Sequence, residues 1–319
     1  MLPTCFKKIS DVLPHGRPLE LEVIEIQIEQ IRQARSIHGG WIPMAVACLG
    51  VQCSRIPIPK FLRQRTYAMM FGSKYPALAD SELEKPLTEY RSLNELFTRG
   101  VPSHHRPLPS NQDQWLVPAD GTVQDVGVVG SNTELLVKGQ RYLLSSLCPM
   151  TDTSPYTDGM FTVLFLSPRD CHRVFAPAHC ELTRLIHVPG HRLLVHPSHQ
   201  REKYPVFALN ERQVMEFRTE LGRCLVVMVA GWGVGNISHP FPVQRRFSGR
   251  RVTVNELNEP RKIQRGEWMA TFELGSTVIL VVENKPGLRS LVSSEQVVQF
   301  HQPVFEINTA HPGVQYSHA

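Results

Sequence analysis

Residues 273–280 have the sequence ELGSTVIL, which places a glycine and a serine at the start of a strongly apolar run. The residues that follow, Val278 to Leu280, predict a buried strand. Glycine weakens a strand interior and often marks a close backbone approach, so Gly275 and Ser276 are predicted to lie where this strand begins or bends. A surface turn is the ordinary interpretation of a lone Gly-Ser pair, and other stretches must decide between the two.

The chain from Trp115 onward consists of short β-type runs bounded by Gly, Pro or polar turns. Almost no segment of helical periodicity lies between them, and this texture is typical of an all-β domain. We predict a β-rich domain of barrel or sandwich type over residues 111–319. Its expected strands lie in TVQDVGVV, RYLLSSL, FTVLFL, RLIHV, CLVVMVAGWGVGNI, WMATFEL, TVILVV and QPVFEI.

Residues 1–110 are predicted to form a helical region, which makes the chain α+β overall. Residues 19–31 fit a helix face better than a strand, although part of the stretch alternates. Ser92 and Glu95 have the spacing of a capping box and predict a helix start. The Pro- and Ser-rich residues 101–114 predict a linker between the two regions.

Composition excludes several classes of protein. The 319 residues carry a net charge of only +5. The sequence has no basic stripe interleaved with aromatic residues, so nucleic-acid binding is not predicted. The seven Cys are odd in number and form no CxxC, which argues against a disulfide framework and favours a reducing compartment. Residues 1–16 lack the apolar core of a signal peptide, so none is expected.

A basic and apolar stretch precedes the β-rich domain. Residues 41–51 are apolar but fall well short of the roughly 20 residues that span a bilayer. Residues 55–71 combine four cations with bulky apolar side chains, a mixture typical of helices that lie on a membrane surface. An amphipathic helix docked on its own domain fits the same pattern, and both interpretations stay open.

Ionisable residues collect after several of the predicted strands. Asp120 lies in VPADGTV, and His172 lies in LSPRDCHRVFAP together with two Arg and an Asp. Glu211 and Arg212 in LNERQVMEF are interpreted as a local charge pair. The His residues between positions 172 and 199 are irregularly spaced and no HExxH occurs, so no metal site is predicted.

Taken together, these stretches resemble the phosphatidylserine decarboxylase family of pyruvoyl-dependent enzymes. The resemblance covers roughly residues 90–283 and is carried by YRSLNELFTR, VPADGTVQDVG, LSPRDCHRV, VPG, LNER, VGNI and above all FELGST. It implies that the proenzyme cuts itself between Gly275 and Ser276. Residues 1–275 would become a β chain and residues 276–319 an α chain, paired as a heterodimer that could itself dimerise.

The resemblance also implies the chemistry of the mature enzyme. Ser276 would become a pyruvoyl group, an internal electron sink that replaces pyridoxal phosphate when carbon dioxide leaves. Asp120 would be the Asp of a catalytic triad, and His172 would protonate the carbanion. The implied substrate is phosphatidylserine and the product phosphatidylethanolamine, at the cytoplasmic side of the cell membrane, where the protein would bind an anionic surface peripherally.

One position departs from the family pattern. Many members carry two His three residues apart in an H-R-V-H stretch, and the second is the triad His for self-cleavage. Here His172 is kept, but the second position is Phe175, which cannot accept a proton. Either His172 serves both reactions or another His, such as His191 or His196, reaches the site. A decarboxylase of free aromatic amino acids and a membrane-associated relative that does not mature are the alternatives.

Overall fold

The fold is described from a computed structural model. It describes residues 49–71, 82–196, 205–232, 236–241, 252–273 and 276–308. Helices are concentrated before residue 106 and strands dominate from residue 114 onward, which confirms an α+β fold with a β-rich domain. The predicted helix at residues 19–31 and most of residues 41–51 lie outside the described residues, and the domain boundary near residue 110 stays a prediction.

The helices of the described residues are short. Residues 49–54 are helical, and α1 (Lys60–Phe71), α2 (Leu93–Phe97), α3 (Leu144–Leu147) and α4 (Val206–Leu209) follow. Three-residue 3₁₀ turns occur at Leu87–Glu89, Ser103–His105 and Ser154–Tyr156. At the start of α2, the Ser92 hydroxyl accepts the Glu95 N–H at 3.2 Å, as the capping-box spacing predicts. The Glu95 carboxylate reaches back to the N–H of Arg91 at 2.6 Å.

Sixteen strands are described. They are β1 (Gln114–Leu116), β2 (Gly121–Val128), β3 (Glu134–Val137), β4 (Gln140–Leu143), β5 (Met160–Leu166), β6 (Arg173–Phe175), β7 (Cys180–Val188), β8 (Arg212–Thr219), β9 (Gly222–Ala230), β10 (Ile237–Ser238), β11 (Thr253–Ile263), β12 (Trp268–Phe272), β13 (Ser276–Val282), β14 (Leu288–Ser290), β15 (Val297–Val298) and β16 (Pro303–Ile307). The predicted RYLLSSL strand is wrong in its second half, because the chain turns into α3 after Leu143.

Eight strands form one large sheet in the order β11-β7-β8-β9-β13-β5-β2-β15. All its pairs are antiparallel. A small sheet has the order β10-β12-β6, a second has the order β1-β16-β14, and β3 pairs with β4. The large sheet has a hydrophobic core on each face, and β13 contributes to both. Val278 and Leu280 lie in one, called the first core, whereas Ile279 and Val281 lie in the other, called the second core. Burial on both faces explains why this strand is apolar without alternation.

The centre of the large sheet continues into the small sheet β10-β12-β6. Strands β9, β13 and β5 are neighbours in the large sheet, and their chain continuations β10, β12 and β6 are neighbours in the small sheet in the same order. Residues of both sheets share the first core, including Val278 from β13 and Met269 from β12. The strand pairs β9–β10, β13–β12 and β5–β6 therefore form one three-stranded ribbon that bends between the two sheets, and this bend is called the fold of the ribbon.

Candidate functional site at the fold of the ribbon

Ser276 lies where the middle strand of the ribbon enters the large sheet. It is the first residue of β13 and pairs with Leu166, the last residue of β5, and with Ala230, the last residue of β9. The residue is fully buried, and its Oγ has no hydrogen-bond partner among the described residues. A buried hydroxyl without a partner costs about 1–3 kcal/mol, so this position invites a functional explanation. The prediction that a strand begins at this point is confirmed.

His172 lies at the fold of the ribbon on the side of the small sheet. Its carbonyl accepts the N–H of Phe272, the last residue of β12, at 3.0 Å, and the Glu273 N–H donates to the Asn236 carbonyl at 2.9 Å. On the side of the large sheet, the described ladder begins at Ser276. Residues 274–275, which include the predicted cleavage position Gly275, lie outside the described residues, between two anchored ends of the central strand.

The ring of His172 is held as a neutral base. Its Nδ1 lies 2.9 Å from the Asp170 carbonyl oxygen, which can only accept, so Nδ1 carries the proton and Nε2 carries the lone pair. Nε2 is buried without a partner among the described residues. Burial and the nearby charge of Arg99 lower the pKa of His172 to about 3, although the bond to Asp170 opposes them. The imidazole is therefore uncharged at neutral pH, with its single proton on Nδ1.

The loop that carries His172 is fixed by contacts with its own chain and with the helical region. The Asp170 carboxylate accepts the Ser167 N–H at 2.6 Å, and Arg99 donates to the Arg169 carbonyl at 2.5 Å. The Phe97 ring meets the imidazole edge-on with centroids 5.2 Å apart. Burial raises the pKa of Asp170, and the charge of Asp120 adds to the increase. The hydrogen bonds from Ser167 lower this pKa but do not offset the effect of burial.

Asp120 is bound by Arg106 and by a backbone N–H. The guanidinium Nε and Nη2 donate to its two oxygens at 3.3 and 2.9 Å, and the Phe300 N–H donates to Oδ1 at 2.8 Å. No described histidine hydrogen-bonds this carboxylate. Asp120 immediately precedes β2, which pairs with β5, so it lies at the same end of the sheet as Ser276.

Phe175 occupies an aromatic cluster beside this ion pair. Its ring stacks on Phe300 with centroids 4.1 Å apart and contacts His301 edge-on at 5.4 Å. The ring nitrogens of His301 face two carbonyl oxygens, of Arg106 at 2.8 Å and of Gly266 at 3.1 Å. Both ring nitrogens of His301 are thereby engaged by carbonyl oxygens, and the aromatic stack fills the position at which the family pattern has a base.

None of the remaining sequence candidates that the structure describes hydrogen-bonds the Ser276 hydroxyl. His196 packs edge-on against Phe165 on β5, and the His191 N–H donates to the Leu209 carbonyl. The predicted charge pair of Glu211 with Arg212 is wrong. Glu211 pairs with His187 and Arg192, whereas the Arg212 guanidinium donates only to backbone carbonyls. No group of three or more potential metal ligands occurs in the described part of the chain.

Comparison with known proteins identifies the family. The family profile of phosphatidylserine decarboxylase matches residues 93–306, about two thirds of the chain. The chain is similar to the phosphatidylserine decarboxylase proenzyme of Alkalilimnicola ehrlichii, with 33% identity over 66% of this chain and 75% of that protein. It is 30% identical to the proenzyme of Myxococcus xanthus over 73% and 82% of the two chains. For that of Nitrosococcus oceani the values are 31%, 78% and 82%.

The chain belongs to the phosphatidylserine decarboxylase family. It is accordingly a decarboxylase, a carbon–carbon lyase, as the sequence motifs predicted. The matched region begins at Leu93 in α2 and ends at Glu306 in β16, so it includes Asp120, His172 and Ser276. The roles of those three residues stay predictions. Arg106 and Phe300 contact Asp120, and Arg99 contacts the loop of His172. None of the three was singled out from the sequence, and Arg106 lies in what resembles a linker.

Proposed function

We propose that this member of the phosphatidylserine decarboxylase family matures by cutting itself between Gly275 and Ser276 and then decarboxylates phosphatidylserine through the resulting pyruvoyl group. The observation that carries the proposal is the buried, unpartnered Oγ of Ser276 at the fold of the ribbon. A structural role does not explain a hydroxyl at this place, because alanine would fill it at lower cost.

The cleavage uses only groups of this chain and one water molecule. The Ser276 Oγ attacks the carbonyl carbon of Gly275, the peptide C–N bond breaks, and an ester with a free amine at residue 276 results. β-Elimination then breaks the Cβ–Oγ bond, which leaves a carboxylate on Gly275 and a dehydroalanine at residue 276. Tautomerisation and hydrolysis release ammonia and leave a ketone, the pyruvoyl group.

His172 is the group that we assign to the proton of Ser276. Its unprotonated Nε2 is buried and lacks a partner among the described residues, and its carbonyl accepts the N–H of Phe272, four residues before Ser276. The low pKa keeps the base unprotonated but also makes it weak, so we expect slow maturation. In the mature enzyme the same nitrogen would take up a proton that originates from solvent and pass it to the carbanion that loss of carbon dioxide leaves.

The surroundings of Ser276 suit a pyruvoyl group at this position. The residue is fully buried at a strand terminus, and the described residues offer its Oγ no hydrogen bond that maturation would break. A pyruvoyl carbonyl at the N-terminus of β13 would supply the electron sink for loss of carbon dioxide. Burial among apolar residues of the first core would keep water away from the reacting carboxylate.

Asp120 is assigned a positioning role. Its carboxylate joins Arg106 to the Phe300 N–H and thereby fixes the segment that leads into β2. The same segment accepts the Phe175 N–H at the Pro118 carbonyl, at 2.8 Å, beside the loop of His172. Asp120 thus supports the strand ends around Ser276.

The helical region offers a surface for an anionic membrane. The side chains of Phe61 and Met69 on α1 are 81% and 78% exposed, and Arg65 is exposed with them. Tyr67, on the opposite face, is buried and donates to the Tyr90 carbonyl at 2.9 Å, so α1 is anchored to the protein. Exposed apolar side chains of this size next to a cation are typical of interfacial helices.

The segment that precedes α1 contacts the chain next to the site. Arg55 forms an ion pair with Glu273, three residues before Ser276. Trp232, two residues after the end of β9, is 49% exposed at the same end of the sheet. None of the described helices is long and apolar enough to cross a membrane. We propose peripheral binding at the cytoplasmic side of the membrane, by a heterodimer of the cleaved α and β chains.

Electrophoresis and intact-mass spectrometry of the purified protein test this function. The expected result is two chains, residues 1–275 and 276–319, the second without a free N-terminal amine. Ser276→Ala should stay a single chain, while Ser290→Ala, a serine of the same C-terminal fragment, should cleave normally. A wild-type protein that remains one chain would instead support the alternative that this family member does not mature. The pairing of Asp120 with Arg106 favours that alternative.

A further inference from the structure

A second polar cluster lies at the same end of the large sheet as Ser276, two strands away. Ala230 pairs with Ser276 on one side, and on the other side its N–H donates to the Glu211 carbonyl at 2.8 Å. Neighbouring strands are about 4.8 Å apart, so the backbone of Glu211 lies roughly 10 Å from that of Ser276.

The Glu211 carboxylate organises this cluster. Its Oε1 lies 3.1 Å from Nε2 of His187, and its Oε2 accepts from Nε and Nη2 of Arg192 at 3.1 and 2.9 Å. Burial raises the pKa of Glu211, but the hydrogen bond from His187 and the charge of Arg192 outweigh it and hold that pKa below its usual value. Glu211 is therefore ionised and fixes the plane of the guanidinium, whose side chain is 23% exposed.

Gln213 adds an unsatisfied amide to the cluster. It is fully buried, and neither Nε2 nor Oε1 has a hydrogen-bond partner among the described residues. It lies directly opposite His187 in the β7–β8 register, and it shares its face of β8 with Met215 of the first core. Ser276 shares its face of β13 with Val278 of the same core. The amide and the Ser276 hydroxyl therefore lie on the same face of the sheet.

A buried amide without partners destabilises the fold, and an apolar residue at this position would avoid that penalty. A polar group of a ligand would supply the missing partner. We propose that Gln213 and Arg192, held by Glu211 and His187, bind the phosphodiester of the substrate while its amine is at residue 276. The inference rests on the proposed function, because that function places the amine.

Distance and chemistry both select the phosphodiester. In a serine phospholipid four bonds separate the amine nitrogen from phosphorus, about 5 Å, and a glutamine side chain extends roughly 5 Å from its Cα. Together these lengths cover the separation across two strands. A guanidinium fork and an amide N–H₂ suit phosphate oxygens, whereas an aromatic ring at this place would leave the Gln213 amide unpaired.

Binding of sn-glycero-3-phosphoserine, the soluble diester headgroup, tests the subsite without requiring turnover. Phosphorus NMR titrations would use Ser276→Ala protein, which stays uncleaved. Adding Gln213→Leu or Arg192→Gln should weaken the affinity about tenfold each, as expected for loss of one charge-assisted or buried hydrogen bond. Arg184→Gln is the matched control, because Arg184 has the same 23% exposure and pairs with Glu216, which lies farther from this end of the sheet.

Unchanged affinity in both variants, or no binding to the Ser276→Ala protein, would overturn the subsite. If the variants weakened the affinity for free serine by the same factor, the subsite would also be rejected, because the cluster would then bind the amino-acid part of the substrate. Gln213→Met repeats the test if the leucine variant does not fold. Cleavage of the wild-type chain is scored separately, so a chain that binds the headgroup through Gln213 but does not mature rejects only the proposed function.

Discussion

The ring of Phe175 stacks on that of Phe300, with centroids 4.1 Å apart and planes inclined by 20°. The backbone N–H of Phe300 in turn donates to Asp120 at 2.8 Å, so the aromatic pair lies next to the carboxylate. A carboxylate needs a positive partner when it is buried, and Arg106 provides it. The pair of rings and the Asp120–Arg106 ion pair thus form one unit at the position of the second family histidine.

Replacing Phe175 by histidine should accelerate maturation. The introduced imidazole would lie in the cluster beside Asp120, where it could take a proton and be stabilised by the carboxylate. We expect the Phe175→His variant to cleave at Gly275–Ser276 at least about tenfold faster than wild type, within the range of general-base contributions. The rate is measured by electrophoresis after synthesis in a cell-free system.

Phe175→Leu is the matched control, because it opens the aromatic stack without adding a base. It should mature no faster than wild type. Equal acceleration by leucine and histidine would mean that the Phe175 ring obstructs the site, and that a second base at this position contributes nothing.

His172→Gln should abolish cleavage, and with it activity. Glutamine keeps a donor for the Asp170 carbonyl but offers no basic nitrogen to Ser276. His104→Gln, on an exposed 3₁₀ turn, should mature normally. Normal cleavage of the His172 variant would transfer the base to another residue, and His191 and His196 would be tested next.

The low pKa of His172 predicts two dependences on pH. Because the pKa of His172 is lowered from 6.5 to about 3, its Nε2 stays unprotonated between pH 8 and pH 5. The maturation rate should therefore stay constant over that range, whereas a base with the ordinary histidine pKa would make the rate fall. The unfolded chain binds the proton more readily than the folded one. This group therefore stabilises the fold above the ordinary pKa of 6.5, and the contribution is lost as the pH falls toward 3. Rapid-mixing cleavage assays and acid unfolding curves measure the two effects.

Arg106→Gln should destabilise the fold by about 3–5 kcal/mol, because it leaves a buried carboxylate without its counter-charge. The side chains of Arg106 and Asp120 are 3% and 8% exposed. The control is Arg141→Gln, which removes a pair with Glu134 from a side chain that is 73% exposed and should cost at most about 1 kcal/mol. Urea unfolding of both variants measures the difference, and equal midpoints would show that Asp120 does not depend on Arg106.

Liposome flotation measures membrane binding. Phe61→Ser with Met69→Ser should lower binding more than about tenfold, since each side chain would lose an apolar burial worth about 1.5–3 kcal/mol. Arg65→Gln should reduce the preference for anionic lipid, to which each cation contributes about 1 kcal/mol. Binding of wild type should weaken as salt is added.

The control for flotation exchanges two exposed apolar residues of the β-rich domain, Val128→Ser and Leu136→Ser, which are 59% and 57% exposed in wild type. Loss of binding in this control to the same degree would reject α1 as the docking surface. Equal flotation with neutral and anionic vesicles at every salt concentration would remove the electrostatic part of the proposal.

The strands could be predicted where both faces are buried. β5, β9 and β13 appear as continuous apolar runs, and these are the strands that meet at the site. β11 was missed, because Thr253–Ile263 is polar and has a bulge between Glu256 and Arg261, so neither alternation nor an apolar run marks it. The end of RYLLSSL was mistaken for strand, because apolar residues of a short helix give the same local pattern.

The site was predictable to the extent that its residues lie in motifs. Asp120, His172 and Ser276 were all singled out, and the structure places Ser276 at the start of β13 and Asp120 and His172 immediately before β2 and β6. Their partners were not predictable, because the pairing of Arg106 with Asp120 and the stacking of Phe175 on Phe300 depend on the folding of the ribbon. A contact between rings so far apart along the chain leaves no signal in a single sequence.

The last prediction concerns the substrate. Carbon dioxide release from phosphatidylserine in mixed micelles should exceed that from free serine, tryptophan or tyrosine by a large factor. Any α-amino acid could offer an amine at residue 276, so chemistry at that residue does not select the lipid. Selection is expected from the membrane-facing side chains of α1 and from Arg192 and Gln213 beside the sheet end. Ser276→Ala protein gives the background rate. Turnover of a free aromatic amino acid with none of the lipid would reject the lipid substrate, and with it the phosphodiester subsite, while self-cleavage would stand on its own measurement.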